Sequence, residues 1–178
     1  MTRIAVSAVF AAALALAGCI PDGPVGNASV PEPRKPVELQ RYLGTWYEIA
    51  RYEASFQRGC EAVTASYSLR PDGEIAVVNS CRQGSPTGPE RSAEAVASPV
   101  AGSNGAKLKV SFFRPFYGDY WVLDRAPDYS WSIVGEPSGR YLWILSRTPR
   151  LSEARVQALV ERARQLGYDT SLLRRTKW

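Results

Sequence analysis

The sequence predicts an all-β domain of consecutive antiparallel strands followed by a single C-terminal helix. Three observations carry that prediction. From Trp46 to Arg147 the apolar residues recur mostly at every second position, the period of strands with one buried face. Turn residues interrupt the alternation at nearly regular spacing and mark eight strands, near residues 46, 63, 75, 92, 107, 119, 130 and 140. Only after Leu151 does the period become helical. Short links with no helices between strands leave two architectures, an up-and-down barrel or a sandwich.

The first strand opens on Gly44-Thr45-Trp46. Gly44, lacking a Cβ, lets the chain bend tightly or pass close to another backbone, and Trp46 then brings roughly 200 Å² of surface that needs cover. Next, Val63, Ala65, Tyr67 and Leu69 alternate with polar residues up to Arg70-Pro71-Asp72-Gly73. Pro71 and Asp72 suit a type I turn and Gly73 the left-handed position that closes a three-residue hairpin loop. Centred on Asp72, that loop sets Tyr67 opposite Val77, Leu69 opposite Ile75 and Ala65 opposite Asn79, with Asn79 the polar exception on the shared face. The same register puts residue 84, not Cys81, opposite Cys60; a bend at Gly59 would bring the two cysteines within the ~6 Å that a disulfide needs.

Residues 82–90, with Gly84, Pro86, Gly88 and Pro89, read as a loop, followed by an alanine-rich strand from Arg91 to Ser98, a turn at Gly102-Ser103-Asn104-Gly105 and a strand from Lys107 to Phe113. Tyr120–Asp124, Trp131–Gly135 and Tyr141–Arg147 complete the series. Val156, Leu159, Val160, Ala163 and Leu166 then form the apolar stripe of a helix, with Ser152 as its N-cap and Gly167 at its end. Arg155, Arg162 and Arg164 occupy the polar face, and Tyr168 to Trp178 is expected to return as a short final strand.

Composition narrows the chemistry. The chain has 178 residues, 45% hydrophobic and 22% charged, which suits one ordinary globular domain. It has no histidine, so His-assisted nucleophiles and His-ligated zinc or haem are excluded. No cofactor and no metal site are expected. The formal charge is +5, or +4 once Arg3 is removed, and the basic residues are scattered singly rather than set as a nucleic-acid tract.

Residues 1–18 have the layout of a secretory signal: Arg3, an apolar run from Ile4 to Leu16, then small residues. Leu16-Ala17-Gly18-Cys19 resembles the bacterial lipobox, in which the cysteine is acylated and becomes the new N-terminus. Cys19 is thus the expected lipid attachment site, and several acyl chains on one residue anchor stably. An even pair, Cys60 and Cys81, remains for an oxidising compartment and is expected to form a structural disulfide. Ile20, where an Asp would favour inner-membrane retention, points to the outer membrane, with the protein facing the periplasm. Residues 19–37, with Pro21, Pro24, Pro31, Pro33 and Pro36, read as a spacer that stands the domain, 38–178, off the membrane.

With signal, strand meander and C-terminal helix in place, Gly44-Thr45-Trp46, Tyr67-Ser68-Leu69, Asp72-Gly73, Pro115-Phe116-Tyr117-Gly118, Tyr120-Trp121-Val122-Leu123 and Leu142-Trp143-Ile144-Leu145-Ser146-Arg147-Thr148-Pro149 together resemble the lipocalin family. More narrowly they resemble the bacterial lipocalins, outer-membrane lipoproteins related to apolipoprotein D. The resemblance implies an eight-stranded antiparallel up-and-down β-barrel, a calyx, with one helix packed outside. It further implies that Gly44, Trp46 and Arg147 close one end, Arg147 lying across Trp46 as a cation-π lid. In one respect the chain departs from the family: where the family has Asp-x-Asp-Tyr, it reads Ala126-Pro127-Asp128-Tyr129. Tyr67, Val77, Asn79 and Trp143 are the implied ligand contacts, and the implied partner is a small apolar molecule, a fatty acid or lysophospholipid. Catalysis is not expected, although Asp124, Asp128, Glu48 and Tyr67 are the groups an enzyme on an apolar substrate would draw on. The other alternative is an interaction or structural lipoprotein whose barrel its own side chains fill. The oligomeric state is not set by the sequence.

Overall fold

The structure, a computed structural model, describes residues 23–178. The signal segment 1–18 and Cys19 lie outside the described residues. Eight strands run in order as a meander: β1 (Gly44–Tyr52), β2 (Cys60–Leu69), β3 (Ile75–Gln83), β4 (Glu90–Pro99), β5 (Lys107–Phe113), β6 (Phe116–Arg125), β7 (Trp131–Gly135) and β8 (Leu142–Ser146). Each pairs antiparallel with the next, and β1 pairs with both β8 and β2, so the sheet closes into a barrel. A ninth strand, β9 (Leu173–Arg175), pairs with the Ala50–Tyr52 part of β1, beyond the part that β2 holds.

The β2–β3 hairpin has the expected register, with Tyr67 opposite Val77 and Ala65 opposite Asn79, and Gly73 takes φ 83°. Cys60 and Cys81 are joined, their Cα atoms 5.4 Å apart. The cause differs from the expected bend. Gly59 does sit at φ 76°, but the register slips further on, between Glu61 and Thr64, where Ala62 is bulged at φ 46°. The slip sets Cys60 opposite Gln83.

Strand alternation splits the core in two. Inward-facing Trp46, Tyr67, Val77, Ala95, Leu108, Val122 and Leu145 form the barrel interior. Outward-facing Ile49, Leu123, Ile133, Leu142 and Ile144 pack beneath helix α2 (Glu153–Gln165) through Val156, Leu159 and Ala163. Ser152 caps α2, its side chain accepting from the Arg155 amide, and Gly167 follows at φ 92°.

Two elements depart from expectation. A one-turn helix, α1 (Leu39–Tyr42), precedes β1. Residues 23–37, expected as part of a stand-off spacer, lie against the barrel instead. Gly26 donates to Gly139 O at 2.9 Å, the buried Asn27 donates to Leu166 O at the end of α2, Lys35 pairs with the buried Asp124 at 2.6 Å, and Val37 donates to Asn104 O. The prolines keep the segment extended, as composition suggests, but its remaining polar groups find partners along the wall.

Candidate functional site: the barrel lumen and its two ends

The closed end is built from α1, the start of β1 and the end of β8. Trp46 is fully buried and donates its indole N–H to Tyr42 O at 2.8 Å, with the Tyr42 ring 4.8 Å away. The Arg147 guanidinium lies 3.8 Å over the Trp46 ring. It also donates to the carbonyls of Arg41, Tyr42 and Leu43 at 2.8, 3.2 and 2.9 Å, and to Thr45 O. These include C-terminal carbonyls that α1 leaves unpaired, so one cation covers the indole and caps the helix. Gly44 sits at φ 89° beside Arg147, a backbone conformation that side chains rarely adopt. The Ala126 departure leaves an apolar, buried position; next to it Tyr129 is sandwiched by Arg41 and Arg125 at 4.3 and 4.2 Å and accepts from the Glu38 amide.

Above Trp46 the lumen has a polar floor that sequence reasoning missed. Tyr67 donates to Tyr120 Oη at 3.0 Å, and Tyr42 Oη lies 2.9 Å from Tyr120 Oη and 3.0 Å from Ser132 Oγ. Burial pushes the Tyr42 phenol up to about 12 and raises those of Tyr67 and Tyr120 as well, so the floor is uncharged at neutral pH. No local signal marks the group: Tyr42 precedes the first strand and Tyr120 is one aromatic among many.

Higher up, the inward positions change character. Ala65, Asn79, Val110 and Trp143 are only partly buried, and β4 contributes the small Ala93, Ala95 and Ala97. Asn79 makes no side-chain hydrogen bond among the described residues, whereas the Trp143 indole donates to Gln57 Oε1 at 3.1 Å. Tyr141 stacks on Trp143 with centroids 5.8 Å apart and meets Phe56 at 5.8 Å, making an aromatic row from the rim into the lumen. The implied contacts thus lie on one inner surface, Tyr67 and Val77 low and buried, Asn79 and Trp143 higher and solvent-reaching.

Beside Trp143 lies a buried ionic group. Arg51, paired across the strands with both Trp143 and Arg174, is fully buried and bonds Glu48 at 2.7 Å, Glu53 at 3.1 Å and the Gln57 and Cys60 carbonyls. Arg174 bridges Glu53 and the buried Glu61, and Gln57 and Thr176 also bond Glu48. Burial works to lower the Arg51 guanidinium, but the Glu48 carboxylate outweighs it and the pKa is raised. Glu48 shares Trp46's parity, which sequence reveals; Arg51 faces inward only because β1 slips register between Glu48 and Ala50. Of the other acids named as catalytic candidates, Asp124 pairs with Lys35 and Arg162 on the outer wall and Asp128 accepts from Ser130 N in an exposed turn.

A family model described as "Lipocalin-like domain" matches residues 37–178, most of the chain. The chain belongs to the lipocalin family. Among relatives of this lipocalin, the outer membrane lipoprotein Blc of Vibrio cholerae is 45% identical over 153 residues, covering 83% of this chain and 88% of that one. Apolipoprotein D of Mus musculus is 32% identical over 155 residues, covering 82% and 79%. Insecticyanin from the tobacco hornworm Manduca sexta superposes with a TM-score of 0.64 over 83% of this chain and 84% of that one, and at 20% identity shares the fold.

Proposed function

We propose that this lipocalin is a lipoprotein, anchored through an acylated Cys19 to the outer membrane and facing the periplasm, whose barrel takes up one long apolar molecule, a fatty acid or a lysophospholipid, without turning it over. The gradient along the inner face carries the reading: sealed at Trp46, then opening upward past Ala65, Asn79, Val110 and Trp143, which solvent reaches. A calyx of this kind needs no catalytic residue, since burial of an acyl chain supplies about 0.8 kcal/mol per methylene. Asn79, with no partner for its amide among the described residues, is suited to a carboxyl or glycerol head group. The names of the Blc relatives, outer membrane lipoproteins, support the location.

The ionic group around Arg51 occupies the β1 side of the barrel beside Trp143, and the ligand is read as one-tailed rather than as a diacyl lipid. Native mass spectrometry of the chain extracted from membranes, followed by titration of the delipidated protein with palmitate and lysophosphatidylethanolamine, tests the proposal. A co-purifying one-tailed lipid, the mass of an acylated N-terminus and saturable binding are expected. An empty barrel that binds neither probe would leave the filled-barrel reading in its place.

A further inference from the structure

The barrel wall is incomplete on one side of the mouth. β4 pairs with β3 from Glu90, opposite Arg82, to Ala97, opposite Ile75. Its pairing with β5 stops at Val96, opposite Ser111. Among the described residues nothing pairs with Glu90–Ala95 on that side, and Glu90 to Glu94 are exposed whichever face of the strand they occupy.

The cause is a bulge in β5. Val110 pairs with Gly118 but Phe113 with Phe116, so Ser111 and Phe112 together oppose Tyr117, and a bulge of this kind bends its strand. Arg114 shows how far. It bonds both carboxylate oxygens of Glu74 at 2.9 and 2.7 Å, and Glu74 also accepts from Ser98 Oγ, whose residue lies opposite Lys109. A straight β5 would carry Arg114 about 16 Å beyond Lys109, out of reach of Glu74, so the tip of the β5–β6 hairpin curls outward over the wall. Ser111 points outward, opposite Val96, yet is only 5% exposed beneath the curl.

The fork where β5 leaves β4 opens on a cavity of about 320 Å³, lined by Arg70, Glu94, Ala95, Ser111, Phe112 and Arg114. Ala95 belongs to the barrel interior and the charged residues to the outer wall, so the cavity sits where the two meet. On the lumen side Asn79 stands opposite Ala93, a small residue at the free edge of β4. The polar groups of the cavity are underused. Ser111 Oγ is buried with no hydrogen-bond partner among the described residues. Arg114 holds Glu74 through Nη2, and Arg70 holds Asp72 through Nε and Nη2, which leaves N–H donors on both guanidinium groups. One hydroxyl and two guanidinium edges suit an anion, and the Glu94 carboxylate beside them suits a cation.

We infer that the gap between β4 and the curled hairpin is a lateral exit from the lumen, and that the cavity outside it seats a zwitterionic phosphoethanolamine head group whose acyl tail lies in the barrel. The inference rests on the one-tailed ligand proposed above. The tail lies along Trp143, the glycerol meets Asn79, and the head crosses the free edge of β4 at Ala93. Outside, the phosphate takes bonds from Ser111, Arg114 and Arg70, and the ammonium lies beside Glu94. A fatty acid, with no group beyond its carboxylate, does not reach the cavity.

The test titrates the delipidated chain with lysophosphatidylethanolamine, with lysophosphatidylglycerol, which has the phosphate but no ammonium, and with palmitate. Arg114→Gln is expected to weaken both lysophospholipids about fivefold and to leave palmitate unchanged. Glu94→Gln is expected to weaken lysophosphatidylethanolamine alone, about twofold. Because Arg114 also fastens the hairpin, Arg70→Gln is the second phosphate-side variant, with a loss of about twofold for both lysophospholipids. Palmitate is expected to displace lysophosphatidylethanolamine one for one, since the two tails share the lumen. Equal losses for palmitate and the lysophospholipids in Arg70→Gln, or no loss for either lysophospholipid in any variant, overturn the lateral exit while the lumen reading stands. Simultaneous binding of palmitate and lysophosphatidylethanolamine overturns it as well, because the head group would then belong to a separate outer site. A parent chain that binds none of the three probes overturns the lumen reading itself and this inference with it.

Discussion

The two ends of this barrel are made by the same strands to opposite specifications. β5 contributes Leu108, 1% exposed, at the closed end and Phe113, 80% exposed, at the mouth; β1 begins with Trp46 under a guanidinium and ends beside a rim loop. At the closed end the indole N–H, the orphan carbonyls of α1 and the Arg147 charge satisfy one another. At the mouth, Asn79 lacks a side-chain partner among the described residues, Trp143 is part-buried and the hairpin aromatics are exposed. A closed sheet has no edge to protect, so stability can be concentrated at one end while the other keeps apolar surface free for binding. The difference teaches where to look for energy and where to look for function: a substitution at the floor reads out in folding, one at the rim in binding.

The sharpest way to break that division is Trp46→Ala, which removes the plug, uncovers Arg147 and leaves a void among Tyr42, Tyr67 and Leu145. A loss of about 3–5 kcal/mol is expected, measured by urea denaturation. Its counterpart is Trp143→Ala. Here palmitate affinity falls about tenfold, or 1.4 kcal/mol, in a titration, while the stability cost stays well below that of Trp46→Ala because the side chain is already partly exposed. Equal stability losses for the two tryptophans would erase the distinction between the ends. Smaller again is Gly44→Ala. The nearest atom to the new methyl is Arg147 Nη1 at 3.5 Å, an ordinary contact, so the cost is the positive φ alone, about 1–2 kcal/mol in the same denaturation assay.

These ends were unequally legible in the sequence. Alternation and turn chemistry suffice for the barrel strands, and Asp72-Gly73 sets the β2–β3 register because a hairpin loop leaves a single pairing. Resemblance, rather than periodicity, singled out Arg147 as the partner of Trp46, since a contact across about a hundred residues leaves no local trace. Arg51 was illegible for a different reason: it faces inward only through a slip in register, and parity counted from Trp46 sends it outward. The hairpin runs further than expected: the strand expected over Tyr120–Asp124 begins at Phe116, and exposure of four neighbouring aromatics depends on how far the hairpin projects. Residues 23–37 have the composition of a spacer, and only their partners on the wall, Gly139, Leu166 and Asp124, reveal a strap running from the mouth to the closed end.

That strap offers the mildest probe of the two ends, because it is fastened by different chemistry at each. Near the mouth Asn27 holds the end of α2 with an amide that does not titrate; towards the closed end Asp124 holds Lys35 and Arg162 at 2.6 and 2.5 Å. Burial works to raise the Asp124 carboxyl, but hydrogen bonds from Lys35 and Arg162 prevail and hold it below its ordinary value of 3.8. A carboxyl depressed in the folded state stabilises fully above its unfolded value and loses that contribution as pH falls through the folded one. The closed-end fastening is therefore expected to hold at pH 7 and fail below about pH 4, while the Asn27 fastening is indifferent to pH. Lys35 and Arg162 are each nearly half exposed, so solvent screens the pairs and the contribution is of order 1 kcal/mol or less. Hydrogen exchange of the strap resolves it: amides near Val37 lose protection on acidification and the Gly26 amide does not, and Asp124→Asn shows the first change already at neutral pH. If both ends of the strap loosened together on acidification, the two fastenings would act as one and the closed end would owe nothing to Asp124.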